Sequence, residues 1–120
     1  MTSLVTQEDA LAYYRATGCP LARVSAVLSA MEPLLRERVL LASRQTQNLG
    51  SLRDPLEFAP ETSAIIEAAS AEARELARAA GRIGRGSCHF VWREQARILA
   101  ERHELVWFSP KAMNPGITYD

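Results

Sequence analysis

Residues Gly81–Asp120 read GRIGRGSCHFVWREQARILAERHELVWFSPKAMNPGITYD, and they hold both tryptophans and both histidines of the chain. Drawn at about 100° per residue, the central part places Val91, Trp92, Ile98 and Leu99 on one side of a helix. Ser87 is a good N-cap for it, and the helix is expected to run to about His103. The glycines at 81, 84 and 86 end whatever helix precedes it and form a turn. Beyond it, Leu105–Phe108 reads as a short extended piece. Ser109-Pro110 reads as a cap with a first-turn proline, so Lys111–Met113 is expected to form one helical turn. Asn114-Pro115-Gly116 is a further turn.

The same periodicity extends towards the N-terminus. Pro60 to Ala80 carries Ile65, Ala69, Ala73, Leu76 and Ala80 as a stripe of mostly small residues, suited to close helix–helix approach. Residues 48–60 concentrate Asn, Gly, Asp and Pro, which is turn chemistry, and their leucines suggest a loop that packs down. Before it, Leu34, Leu35, Val39, Leu41 and Ala42 predict a helix to about Gln47. Leu21, Val24, Val27, Leu28 and Met31 predict another after Pro20. Pro33 lies between them, and the pattern leaves open one bent helix or two. Thr6 with Asp9 three residues on predicts a first helix, which Gly18 ends in a left-handed conformation. The expected fold is all-α: one helical domain over residues 1–120, a compact array of four to five helices closed by an irregular C-terminal arm.

Composition bounds the function. Fourteen basic residues balance fourteen acidic ones, so no global field draws in nucleic acid or anionic lipid. Two cysteines make no disulfide framework. Residues 1–14 lack the pattern of a secretion signal, and no apolar run approaches the roughly 18 residues of a membrane span. A reduced cytoplasmic protein without a membrane partner is the expectation.

The candidate site residues lie mostly in the opening stretch. Cys88, Gln95 and Arg102 fall within the apolar arc of the Ser87–His103 helix, so a polar seam there lines a pocket or is satisfied by neighbours. Cys88 begins a helix whose exposed N–H groups favour an anion, with Arg85 near it. That environment lowers a thiol pKa. His89 is the candidate base, although adjacent helical residues point about 100° apart. Arg85, Cys88, Gln95 and Arg102 are therefore the ligand-binding candidates, and Cys88 with His89 the catalytic ones. The segment GRIGRGS lacks the P-loop spacing and a preceding strand. His89 and His103 would stand about 21 Å apart on one helix and cannot share an ion, so no metal or cofactor is expected. Arg74, Arg78 and Arg82 recur four apart as a basic ridge. Trp107 and Phe108 offer either a recognition patch or the closing arm of the core.

The segment TGCPLARVSAVL (Thr17–Leu28), followed by RERVLLAS (Arg36–Ser43), resembles the turn and recognition helix of LacI-type helix-turn-helix repressors. Gly18 would be the turn glycine, with Val24, Ser25, Val27 and Leu28 at the matching offsets. The resemblance covers about 30 residues; the helix before Gly18 is longer and the gap before Arg36 shorter than in that family. It implies DNA binding through residues 20–31, with Arg23 the one basic residue on the reading face. Three readings follow. The leading one is a non-catalytic protein-interaction or regulatory module with a protein partner or a second copy of itself. The others are a helix-turn-helix DNA-binding protein and a small-ligand or thiol-dependent site at the start of the Ser87 helix.

Overall fold

The computed structural model describes residues 5–45 and 51–119. Among these residues six α-helices follow one another: α1 (Gln7–Thr17), α2 (Leu21–Ser29), α3 (Pro33–Gln45), α4 (Ser63–Ala79), α5 (Ser87–His103) and the one-turn α6 (Pro110–Met113). A 3-10 turn at Pro55–Glu57 lies between α3 and α4. Among the described residues there is no strand, and the fold is all-α.

The local signals at the N-terminal end work as expected. Thr6 Oγ1 accepts a hydrogen bond from the Asp9 amide at 3.0 Å, satisfying one of the orphan donors of α1. Gly18 closes the helix at φ 76°, and its N–H bonds Tyr14 O at 2.8 Å. Residues 20–45 form two helices rather than one bent one. Proline at 33 has no N–H to give to the preceding turn, so it serves as the first residue of α3. The Arg36 amide bonds Glu32 O at 3.0 Å, which marks the new start. The expected continuation of α3 to Gln47 reaches beyond Gln45 into residues outside those described.

Two apolar clusters form the interior. The first is built by α1, α2 and α3 around Tyr13, Val24, Leu28 and Val39, with Met113 of α6 inserted from the C-terminal arm. The second lies between α4 and α5 and holds Ile66, Ala69, Ile98, Leu99 and Trp107. Each fully buried aliphatic side chain of this size contributes about 1.5–3 kcal/mol relative to exposure.

The packed face of α4 is Ile66, Ala69, Ala73 and Ala77, which corrects the expected stripe. Ile65 is half-buried, and Leu76 and Ala80 are exposed. Ile65 and Ile66 stand about 100° apart, so periodicity permits either row. The row ending in Ala77 places small side chains where α4 runs beside α5, and the bulkier Leu76 turns to solvent. The start of α4 is also later than expected, at Ser63.

Helix α5 begins differently from the expectation too. Gly86, at φ 83°, is its N-cap, and Ser87 is the first helical residue, with no side-chain cap. Three glycines in left-handed conformations, at 81, 84 and 86, make the reversal from α4 so tight that the helix starts one residue early. At its other end Glu104 adopts φ 50°, and the Leu105 amide reaches back to Leu99 O at 3.1 Å.

The C-terminal arm joins the two clusters. Trp107 packs into the second, and Ser109 Oγ caps α6 by accepting from the Ala112 amide at 3.2 Å. Asn114, buried, then clamps Leu52. Its Oδ1 accepts from the Leu52 amide at 2.7 Å, and its Nδ2 donates to Leu52 O at 2.8 Å. Asn114 Nδ2 also reaches Pro110 O at 2.8 Å. A loop and an arm 62 residues apart are thereby fixed side by side.

Candidate interaction surface

The turn between α4 and α5 exposes arginines that form no ion pair among the described residues. Gly81 adopts φ 71°, and the Arg82 amide bonds Ala77 O at 2.8 Å, ending α4. The chain then exposes Arg82, Ile83 and Arg85 before α5 turns back. Ile83 is 76% exposed, more than any other large hydrophobic residue described. On α5, the Phe90 ring takes two guanidinium groups over it, Arg82 at 5.3 Å and Arg93 at 5.2 Å from its centre. Both distances suit cation–π attraction. Among the described residues, Arg82, Arg85 and Arg93 form no ion pair, whereas Arg38, Arg44, Arg53, Arg78, Arg97 and Arg102 all do. A chain of zero net charge thus carries a local positive field at one end of a hairpin.

The expected basic ridge is divided by this arrangement. Arg74 donates to Ser70 Oγ at 2.8 Å and Arg78 pairs with Glu75, both on their own helix. Only Arg82 joins the patch at the turn. The other two interaction candidates lie elsewhere. Trp107 is 5% exposed, and its indole N–H donates to Glu57 Oε2 at 2.9 Å. Phe108 is half-buried beneath the Arg38 guanidinium, 5.5 Å from the ring centre. Trp107 lies within the second apolar cluster and Phe108 packs against the first, so both help to close the interior.

The ligand-binding candidates are brought together only in part. Cys88 and Gln95 do line one cleft of about 490 Å³ along the α4–α5 groove, together with Arg53, Glu67, Ser70 and Arg74. Gln95 is buried and donates through Nε2 to Ile66 O at 3.3 Å, so the polar seam is satisfied by the facing helix. Neither cysteine is in a disulfide. Arg85 does not line this cleft, and Arg102 lies two turns of α5 beyond Gln95, at a different concavity. His89 is exposed and shares a hydrogen bond of 2.6 Å between Nε2 and Tyr119 O; its ring stands edge-on to Trp92. That contact turns the imidazole towards the arm. Among the described residues, no three His, Cys, Asp or Glu side chains converge to hold a metal ion, and no helix is long and apolar enough to cross a membrane.

Arg102 instead grips Glu72 of α4 with two parallel bonds of 2.7 Å. The Arg102 hydrogen bond holds the Glu72 carboxyl below its usual pKa, and the same bond raises that of Arg102. A depressed carboxylate pKa contributes stability above the unfolded value and loses it as pH falls through the folded one. The Glu72 carboxyl carbon should therefore titrate below an ordinary glutamate when followed by NMR, and Arg102→Gln should raise its midpoint. An unchanged midpoint in the variant would mean that the pair does not persist in solution.

Phe90, Ile83 and Arg93 were not singled out by the residue pattern. One signal pointed to Phe90 and Arg93: on the α5 wheel they fall opposite the apolar arc of Val91, Trp92, Ile98 and Leu99. Ile83 has no such signal, since its exposure depends on the path of the turn. No protein-family model, no curated protein and no solved structure matches the chain.

Proposed function

We propose that the protein is a non-catalytic interaction module that docks an acidic segment of a partner protein on the α4–α5 turn. One observation carries the reading: two arginines without carboxylate partners, Arg82 and Arg93, stack on Phe90, and the exposed Ile83 and Arg85 lie in the same turn. Arginine and aromatic side chains supply much of the binding energy at protein interfaces, and an exposed aliphatic residue gives such a patch an apolar centre. Guanidinium groups that already stack on a ring are held in place, which reduces the ordering entropy on binding a carboxylate. The reading surface of α2 gives the DNA alternative less support, because Arg23 is the one basic residue on it.

The test is affinity capture with the wild-type protein and with the triple variant Arg82→Glu, Arg85→Glu, Arg93→Glu, whose side chains lie outside both apolar clusters. Partners bound by the wild type should be lost by about tenfold or more in the triple variant, with helix content by circular dichroism unchanged. Ile83→Asp should weaken the same partners. Equal capture by all three proteins would end the proposal. So would capture that survives high salt undiminished, since exposed charge pairs are screened.

A further inference from the structure

A separate cleft of about 720 Å³ opens between the α1–α2 turn, the length of α2 and the C-terminal arm. Its volume falls in the range of small-molecule sites, roughly 300–1,000 Å³. The lining is distributed unevenly along its length. Val27, Met31 and Leu35 form an apolar stretch at one end, and the arm supplies Ala112 as part of the opposite wall. Towards the α1–α2 turn lie Tyr13 and Arg23.

Two features make that end selective. Tyr13 is 5% exposed, yet it borders the cleft. Burial raises its phenol pKa, the nearby Cys19 adds to this, and the Thr17 hydroxyl opposes it; the phenol therefore stays a proton donor at neutral pH. Arg23 is exposed at the rim and forms no ion pair among the described residues. At the other end Glu32 borders the cleft and repels an anion there.

We infer that this cleft binds a small amphipathic carboxylate, its alkyl or aryl body on Val27, Met31 and Leu35 and its anionic head at Arg23 and the Tyr13 hydroxyl. One guanidinium matches the single charge of a carboxylate and meets it with two parallel bonds, which favours this head group over a multiply charged phosphate. The opposite charge of Glu32 sets the direction in which the ligand lies.

Octanoate, octan-1-ol and octylammonium, each below its aggregation limit, serve as probes in amide NMR titrations of the full chain. Octanoate should give saturable shifts at Val27 and Ala112, on the two walls, and bind about tenfold more tightly than octan-1-ol. Arg23→Ala should remove that preference while leaving octan-1-ol binding unchanged. Ala30→Trp, at an exposed position lining the cleft, should block both probes. No saturable shift up to about 10 mM would overturn the inference, because it leaves less than about 3 kcal/mol of binding. Equal affinities for the three probes, or octanoate binding indifferent to both substitutions, would overturn it as well.

Discussion

Asp54→Ala should destabilise the protein by about 3–5 kcal/mol in urea unfolding, a large part of the total stability of a small domain. The carboxylate is fully buried and serves three elements at once. Its Oδ1 accepts from the Leu56 amide at 3.0 Å, capping the 3-10 turn. Its Oδ2 accepts from Arg38 Nη1 of α3 at 2.8 Å and from the Phe108 amide of the arm at 2.9 Å. Alanine would leave two part-buried amide donors and a part-buried guanidinium without their acceptor, and the loss of the charged partner of Arg38 is the dominant cost. Arg38 also donates to Val106 O at 2.9 Å, so its displacement would loosen the arm a second time. Combining Asp54→Ala with Arg38→Ala should cost less than the sum of the two by at least about 1 kcal/mol, since the residues share one network. A loss below about 1 kcal/mol for Asp54→Ala alone would show that this carboxylate is not the junction described.

Trp107→Ala should cost about 3–5 kcal/mol, the range for emptying a large aromatic site in a packed interior. The ring occupies the cluster of Ile66, Ala69, Ile98 and Leu99, and neither helix can move in without breaking the α4–α5 contact. Trp107→Phe should cost less. It keeps most of the apolar volume and loses the indole bond to Glu57, about 1 kcal/mol where the acceptor keeps another partner. Glu57 has one in Arg53, whose Nη2 stands at 2.8 Å. The phenylalanine variant should also capture the same partners as the wild type. Near-wild-type stability of Trp107→Ala with lost capture would reverse the assignment and make the arm, not the turn, the recognition surface.

Four of the longer elements can be read directly from residue types. Thr6, Gly18, Pro20 and the run after Pro33 mark helical segments because their chemistry acts on the backbone within a few residues, while the pattern leaves open the division at Pro33 into two helices. The end of helix α5, expected at about His103, is legible from the apolar arc, whereas the reversal at Glu104 appears only in the structure. The start of α5 and the packed row of α4 are less so. Each depends on how tightly the glycine turn folds, which brings Ala73 and Ala77 rather than Leu76 against the neighbouring helix.

The candidate site shows the same division more sharply. Cys88 and Gln95 share a helical arc seven residues apart, and the structure places both on one cleft. Arg102 shares the arc as well, but its long side chain leaves the seam to reach Glu72 on α4. One helix wheel cannot anticipate a partner on another helix. Likewise, Arg82 belongs by spacing with Arg74 and Arg78, and in space with Phe90 and Arg93, because those two ridge residues find partners one turn away.

The sequence by itself determined that the chain is helical, that Thr6 opens and Gly18 closes its first helix, and that its net charge is zero, because propensity, capping and composition are properties of neighbouring residues. Tertiary structure alone decided which arginines are neutralised, that Trp107 is interior, and that Tyr13, Arg23 and the C-terminal arm border one cleft. These depend on contacts between residues tens of positions apart, where side-chain reach and the burial of opposing faces, rather than local preference, set the energy.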